Sequence, residues 1–330
     1  MSYHARQSLL ADLHAPRPAI YWCDLIGSAG LGWASFAWAV ISQPWSAIQL
    51  LTTAVATLSL YRALCFIHEI SHSGTRLRWF EAAWNLLVGF PLLLPSFTYA
   101  EVHFDHHRMS TYGTKADPEY LPFARSPALT TWFCFANLFA PLVLCLRFLI
   151  LTPIGLVIPR FEARLVKHAS AITMNMHYCR KSTARTAHII RRDSSLLLLY
   201  WLLAIPALQS GHLLFPTAVI WLIVTALVNF INGLRTLAAH GYESAGQPME
   251  RMRQVADSID VPNGFWAELW APVGLRYHAI HHCFPSIPYH DLPRAYRRLT
   301  AAMPETYGTM SRAGLFQCLG ALFSKGLRAS

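Results

Sequence analysis

The sequence contains few charged residues for its length. Only 13% of its 330 residues are Asp, Glu, Lys or Arg, whereas 54% are hydrophobic. Soluble domains usually carry about 25% charged residues, so this deficit argues against an ordinary soluble protein. No Gly/Ser-rich linker, low-complexity tract or internal repeat divides the chain. We therefore predict a single domain over residues 1–330 that lies in a membrane.

Lysine is scarce, and paired cysteines are missing. Lysine supplies only four of the 27 basic residues, an arginine bias typical of a GC-rich bacterial genome. The arginines are spread between apolar segments and form no basic arm or helix, so we expect no nucleic-acid partner. None of the seven cysteines forms a CxxC pair. We expect free thiols, as on the reducing side of a membrane.

Four segments are apolar over the ~20 residues that a helix needs to cross a bilayer. We place them at about residues 21–41, 45–67, 195–212 and 213–234, which pair into two hairpins. Neither hairpin turn contains Lys or Arg, whereas all 27 basic residues lie elsewhere. Cytoplasmic loops are enriched in Lys and Arg, so we expect both turns outside and both termini inside. Residues 68–194 and 235–330 are then cytosolic or interfacial.

The predicted fold is therefore an all-α integral membrane protein of the bacterial inner membrane. It has four transmembrane helices, arranged as two hairpins, and a cytosolic helical cap. We expect membrane lipid to surround the helices.

A further apolar stretch, residues 127–158, is predicted not to cross the membrane. Basic residues flank it on both sides, so it must cross an even number of times. Two crossings need ~40 residues, and only 32 are present, interrupted by Pro141 and Arg147. We expect an interfacial or re-entrant helix, and the same for residues 82–97, which contain two prolines. The alternative is that one of these stretches does span and the charge bias fails here.

Nine of the sixteen histidines fall into four compact groups. His68 and His72 form HxxxH at the end of the second predicted span, and His240 follows the fourth span. The cap holds two HxxHH groups, which consist of His103, His106, His107, His278, His281 and His282. Because both hairpins deliver histidine to the cytoplasmic side, we expect all nine at one site. The other seven are expected to lie outside it: His4, His14, His168, His177, His188, His212 and His290.

The nine histidines indicate a metal centre. Neutral imidazole is a good ligand for iron, copper and zinc. Nine ligands are too many for one ion, because a catalytic zinc uses about three protein ligands, but they suit two six-coordinate ions that keep open positions. Metal-bound imidazoles usually donate their other N–H to a carboxylate or carbonyl. The acidic residues near the groups are Glu69, Glu101, Asp105, Asp117, Glu119, Glu243 and Asp291.

Two other interpretations remain open at this point. Residues 68–72 also match HExxH, the zinc metallopeptidase pattern, in which two histidines bind zinc and the glutamate is the general base. That pattern leaves both HxxHH groups unexplained. A non-catalytic metal-binding membrane protein is the other alternative, and its behaviour would not depend on oxygen.

The histidine groups resemble the three boxes of the membrane fatty-acid desaturase family. HEISH, HFDHH and HAIHH match that pattern, and the surrounding segments HHRMSTYGTKADPEY, RTLAAH and GLRYHAIHHCFPSIPYHDLP are also similar. The resemblance covers about residues 45–300. It implies two Fe ions (Fe2+/Fe3+) held by the nine histidines, molecular oxygen, and a long acyl substrate presented as a lipid, CoA or carrier-protein ester.

The resemblance also implies that electrons come from another protein. No HPGG motif of a fused cytochrome b5 is present, so we expect a separate donor of the ferredoxin, rubredoxin or cytochrome b5 type. An asparagine that supports the metal through water in some relatives is replaced by Thr236, and Asn232 is a candidate substitute. Glu69 stands where many relatives have Asp, and the third box begins with His278 and not with the glutamine of front-end desaturases.

The reaction expected from the resemblance is oxygen-dependent desaturation of a long acyl chain. Removal of two neighbouring hydrogens gives a double bond. The alternative is hydroxylation at the same di-iron site, in which an oxygen atom is transferred after the first hydrogen is removed.

Overall fold

The computed structural model describes residues 7–73, 76–262, 264–312 and 314–329, and within those ranges the secondary structure is helical with a few isolated β-bridges. The α-helices there are, in chain order, α1 Pro18–Ile41, α2 Ala47–Ser73, α3 Phe80–Trp84, α4 Ala100–His107, α5 Pro127–Ala136, α6 Ala140–Cys145, α7 Thr152–Val157, α8 Pro159–Ala169, α9 Ala184–Ser210, α10 Leu214–Ala239, α11 Arg251–Asp257, α12 Ala267–Trp270, α13 His278–Cys283, α14 Leu292–Ala302, α15 Pro304–Tyr307 and α16 Leu315–Ala329. Short 3₁₀ or π-helical turns occupy Ala11–Leu13, Asn85–Gly89, Ser96–Thr98, Phe123–Arg125, Asn137–Phe139, Leu146–Leu151 and Gly308–Met310.

Helices α1 and α2 form the first hairpin. They approach closely at Gly32, where an added Cβ would lie 2.7 Å from Leu60 Cγ. Arg62, inside α2, is neutralised by Asp24 of α1 through a 2.8 Å bond from Nε to Oδ1, as expected for charge at membrane depth. Because α2 continues to Ser73, the apolar span and the first two histidines belong to one helix.

Helices α9 and α10 form the second hairpin. The chain turns at residues 211–213, where His212 has a φ of 58°. Helix α9 begins well before the predicted span because the Thr183 side chain caps it, accepting the backbone N–H of Thr186 at 3.1 Å. Helix α10 ends at Ala239, so His240 follows the helix directly.

Four helical segments in the described part of the chain are long and apolar enough to cross a membrane: Pro18–Ile41, Ala47–His72, Pro127–Val157 and Leu214–Ala239. Three of them coincide with predicted spans. The fourth is Pro127–Val157 and not the predicted 195–212. Residues 195–212 form the apolar end of α9 and its turn, and the preceding part of that helix carries Arg191, Arg192 and Asp193.

Contacts at both ends of Pro127–Val157 favour the prediction that it does not cross. At its start, Pro127 packs on Gly326 of α16, whose added Cβ would lie 2.9 Å from Pro127 Cδ. Near its end, the Arg147 side chain donates to the carbonyl of Ala169. Arg180 donates to the neighbouring Ser170 carbonyl at 3.1 Å and to the Phe97 carbonyl at 2.6 Å, close to the second histidine group. These contacts place Pro127 and Arg147 beside segments that adjoin the histidines, and the absence of a crossing at Pro127–Val157 stays a prediction.

Residues 80–97 enter the apolar core and return. Their two arms are joined because Asn85 Nδ2 donates to Ser96 Oγ at 2.9 Å and Ser96 N donates to Asn85 Oδ1 at 2.8 Å. Irregular backbone at membrane depth must be satisfied by protein. Tryptophan side chains do this from three helices: the Nε1 atoms of Trp33, Trp201 and Trp221 donate to the carbonyls of Leu87, Phe90 and Pro91.

We expect reporter fusions to show that Pro127–Val157 does not cross. Alkaline phosphatase, which is active only outside the cytoplasm, should be inactive when fused after Arg125 or after Arg160. Fused after Gly211, it should be about 10-fold more active, because α9 places that turn outside. An active fusion at Arg160 would show that Pro127–Val157 crosses and that α9 does not.

Candidate metal centre

The structure brings all nine predicted histidines to one place. Helix α2 supplies His68 and His72, α4 and α13 supply the two HxxHH groups, and His240 follows α10. Eight of the nine are buried, and His72 is partly exposed. Of the other seven histidines, His4 lies outside the described residues. His14 bonds Ser286 at 2.8 Å and His290 bonds Arg17 at 2.9 Å, and neither belongs to the two groups of histidines that could hold a metal.

The rings form two groups that share His107 between them. In each group of four, one ligand atom per residue lies within 4.8 Å of the others. Group one contains His68, His72, His103 and His281, and group two contains His106, His240, His278 and His282.

His107 contacts both groups. Its Nε2 lies 2.9 Å from Nε2 of His103 and 3.2 Å from Nε2 of His281. Its ring also stacks on the ring of His282, with centroids 4.3 Å apart. A single side chain therefore bridges the two groups.

The donor set fits two metal ions. Leaving a buried polar atom without a partner costs about 1–3 kcal/mol, yet many of these ring nitrogens have no hydrogen-bond partner. They are Nδ1 and Nε2 of His68, Nε2 of His72 and His106, and Nδ1 of His107, His278, His281 and His282. Nitrogen atoms also converge at short range, as with Nε2 of His240 and His278 at 3.0 Å. A cation in each group would be a partner for unpartnered Nε2 atoms, such as those of His68, His72 and His106, and for the Nε2 atoms that face one another.

Burial keeps most of these rings in the form that binds metal. It lowers the pKa well below the usual histidine value, which leaves the imidazole neutral at pH 7, for His103, His107, His240, His278, His281 and His282. His106 differs. Burial also acts to lower its pKa, but the carboxylate of Asp117 outweighs burial and raises it.

Two carboxylates of the loop after the second box orient histidines. His106 Nδ1 bonds Asp117 at 3.0 Å, and His103 Nδ1 bonds Glu119 at 2.7 Å. Asp117 is fixed by its own loop, because it accepts the backbone N–H groups of Gly113 and Glu119 at 2.8 and 2.9 Å. With Nδ1 engaged, Nε2 of each ring is directed at its group.

Glu69 connects the first box to the rest of the protein. Its Oε1 lies 3.7 Å from His68 Nδ1. Its Oε2 accepts the hydroxyl of Tyr21 and, at 3.1 Å, the backbone N–H of Tyr289. The carboxylate therefore fixes α2 against α1 and against the segment that follows the third box.

Four other residues that were predicted to support the metal-binding histidines form hydrogen bonds or ion pairs with other groups. Thr236 donates to the Asn232 carbonyl of its own helix at 2.8 Å, and the Asn232 side chain accepts from Arg235 at 3.1 Å. Asp105 bonds Arg108 and Tyr178. Asp291 pairs with Arg17 and Arg294. Some of these partners, such as Tyr178 and Arg17, come from distant segments of the chain, which residue spacing alone does not reveal.

Sequence reasoning missed a support for His240. Tyr112 Oη lies 2.9 Å from His240 Nδ1 and donates to Asp257 at 2.9 Å, and Tyr120 donates to the same Asp257 oxygen at 2.8 Å. Burial raises the pKa of Asp257 to about 6. When His240 Nδ1–H donates to the tyrosine, a chain of hydrogen bonds runs from His240 through Tyr112 to Asp257. This chain fixes the orientation of the His240 ring.

A second missed residue is Asp260, which supports the third box. Its Oδ1 accepts the backbone N–H of Ala279 at 2.8 Å and that of Ile280 at 3.4 Å. Burial raises the pKa of Asp260 to about 7. Residues 241–260 contain many polar and charged side chains, so nothing in the sequence distinguishes Asp260 from its neighbours.

We expect Tyr112→Phe to weaken metal binding. It removes one hydroxyl, so His240 Nδ1 and Asp257 lose a shared partner, and such outer contacts contribute about 10-fold to 100-fold in metal affinity. Competition with a chelator measures the affinity. The matched control is Tyr296→Phe, whose hydroxyl bonds Ser311 at 2.9 Å. Equal affinities in the two variants would show that the Tyr112 hydroxyl does not support the centre.

Comparison with known proteins agrees with this geometry. The fatty acid desaturase family model matches residues 42–314. The chain is also 39% identical over 325 residues to a ceramide hydroxylase of Caulobacter vibrioides, a match that covers 96% of this chain and 92% of that protein. The chain therefore belongs to the fatty acid desaturase family of membrane oxidoreductases.

Proposed function

We propose that the protein is an oxygen-dependent di-iron hydroxylase that acts on the acyl chain of a ceramide-like membrane lipid. The observation that carries this proposal is the 39% identity to a ceramide hydroxylase over 96% of the chain. Hydroxylation therefore replaces desaturation as the main interpretation. The histidine boxes alone do not separate the two, since both reactions begin by removing a hydrogen atom at the same centre.

Two irons fit the donor set, because neutral imidazole suits iron and the family implies a di-iron site. When bound, they supply activation of molecular oxygen and removal of hydrogen from an unactivated carbon. The chain's own residues hold and orient them. Group one and group two would each hold one ion, with His107 between them. Asp117, Glu119 and Tyr112 keep Nδ1 engaged, so Nε2 of the three rings is available.

The location of the centre supports a membrane lipid as substrate. Helix α2 carries the apolar span and His68 without a break, and His240 directly follows the apolar helix α10. An acyl chain in the bilayer thus approaches the centre along the helices that hold the histidines. Burial of the rings excludes water from the reacting carbon, and a fixed substrate position contributes to the rate. We therefore favour a lipid over a CoA or carrier-protein ester.

The structure does not favour the metallopeptidase alternative. A metallopeptidase glutamate must act as general base beside the metal, but Glu69 is engaged by Tyr21 and the Tyr289 N–H. Both HxxHH groups also contact the HxxxH group, which a single zinc site does not require.

Mass spectrometry of ceramides tests the proposal. Cells that express the intact protein under 18O2 should accumulate ceramides that gain one labelled oxygen atom. Cells that express His282→Ala should not, because that ring belongs to group two and stacks on His107. A loss of two hydrogens without added oxygen would make the protein a desaturase. Added oxygen that is unlabelled would contradict an oxygen-dependent hydroxylase.

A further inference from the structure

A surface concavity of about 580 Å³ borders the metal centre at His107. Its lining consists of Phe104, His107, Arg108, Met109, Ser110 and Arg251, and we call it the α4–α11 surface. It is formed by the end of α4, the turn that follows, and the start of α11.

The α4–α11 surface is connected to the centre through His107. One edge of this ring lines the concavity, while its Nε2 contacts His103 and His281 and its ring stacks on His282. Arg251 makes a second connection, since its Nη1 donates to the carbonyl of His282 at 3.3 Å. The surface is therefore one side chain away from both histidine groups.

Another opening reaches the histidines at His72, but it is much smaller. It holds about 10 Å³ and is closed by Pro16 and by residues 285–288. No protein can approach His72 through a space of that size. Of these two openings, the α4–α11 surface is the one that is large enough for contact with another molecule.

The chemistry of the α4–α11 surface is that of a protein interface for an acidic partner. Phe104 is 44% exposed and Met109 is 52% exposed, which leaves apolar side chains at its centre. The Arg108 side chain is 62% exposed, and Arg251 adds a second cation. Exposed aromatic, Met and Arg side chains are enriched at interfaces, and charge complementarity selects the partner and steers its approach. Arg108 pairs with the carboxylate of Asp105 at 2.6 Å, and Tyr178 also donates to that carboxylate, so Arg251 is the cation of this surface that lies outside that pair.

We propose that the α4–α11 surface docks the electron donor, an acidic redox protein that delivers electrons beside His107. This inference rests on the proposed function, which requires an external reductant. In the overall reaction, a C–H bond and an O–O bond break, and a C–O bond and the O–H bonds of water form. One O2, two electrons from the donor and two protons from solvent give the alcohol and one water. The donor is oxidised, and dioxygen is reduced.

Charge reversal at the rim tests the docking. The probe is whichever of reduced ferredoxin, rubredoxin and cytochrome b5 transfers electrons fastest to the iron-loaded wild-type protein in stopped flow. Arg108→Glu should slow that transfer about 10-fold at low salt and weaken its dependence on ionic strength. Met109→Glu, which places a negative charge within the concavity, should also slow it. The matched control is Arg160→Glu, the same charge change at an exposed site on α8, and it should react like the wild type.

Reduction by dithionite, measured on the same preparations, separates docking from damage to the centre. A deficit with the protein donor and normal reduction by dithionite supports the proposal. If dithionite reduction slows equally, the effect lies in the metal centre and the proposal is overturned. It is also overturned if Arg108→Glu and Arg160→Glu react alike, or if none of the three acidic donors reduces the wild type. Failure of the proposed function is seen separately, as wild-type protein that takes up electrons but forms no hydroxylated lipid.

Discussion

The structure depends on the crowding of nine imidazole rings in one buried volume. Burial keeps most of them neutral, and many of their nitrogen atoms have no hydrogen-bond partner. Neutral rings at this separation cannot all satisfy one another, because a nitrogen without a proton can only accept. Coordination to cations is the arrangement that uses these lone pairs. The four helices that carry or directly precede these histidines, α2, α4, α10 and α13, therefore each have an end at the centre.

The route of the chain follows from this requirement. Helix α2 ends at the histidine side and α4 begins there, so the intervening residues must enter and leave the core on one side. The pairing of Asn85 with Ser96 and the tryptophan donors to nearby carbonyls show how such a segment is stabilised. Both α4 and His240 lie at the centre, so the chain between them must cross the membrane an even number of times. Irregular, re-entrant backbone is thus a consequence of the centre.

Much of the centre could be predicted from the sequence, because its ligands are local. HxxxH and HxxHH place histidines at fixed positions on a helix, and apolar runs show which side of the membrane these helices reach. Asp117 and Glu119 follow the second box so closely that a single turn brings them back to His106 and His103. Asp257 and Asp260 could not be found this way. They reach His240 and α13 through a fold of residues 241–277 that has no periodic pattern.

Other differences between the sequence-based predictions and the structure also have local causes. Asn232 and Thr236 lie at plausible positions near His240, but their side chains bond groups on their own helix. The choice between a double bond and a hydroxyl group depends on how a substrate carbon is held, and no box encodes that position. The histidine boxes therefore predicted the position of the centre and the family. The similarity to a ceramide hydroxylase is what favours hydroxylation over desaturation.

The metal content of the purified protein tests the central claim most directly. Elemental analysis of the wild type and of His188→Ala, which changes an exposed histidine of α9, should give two irons per chain. His107→Ala, which removes the ring shared by both groups, should lower the iron content while the protein stays folded. One zinc per chain, or iron that is unaffected by loss of His107, would contradict a two-metal centre built from these histidines.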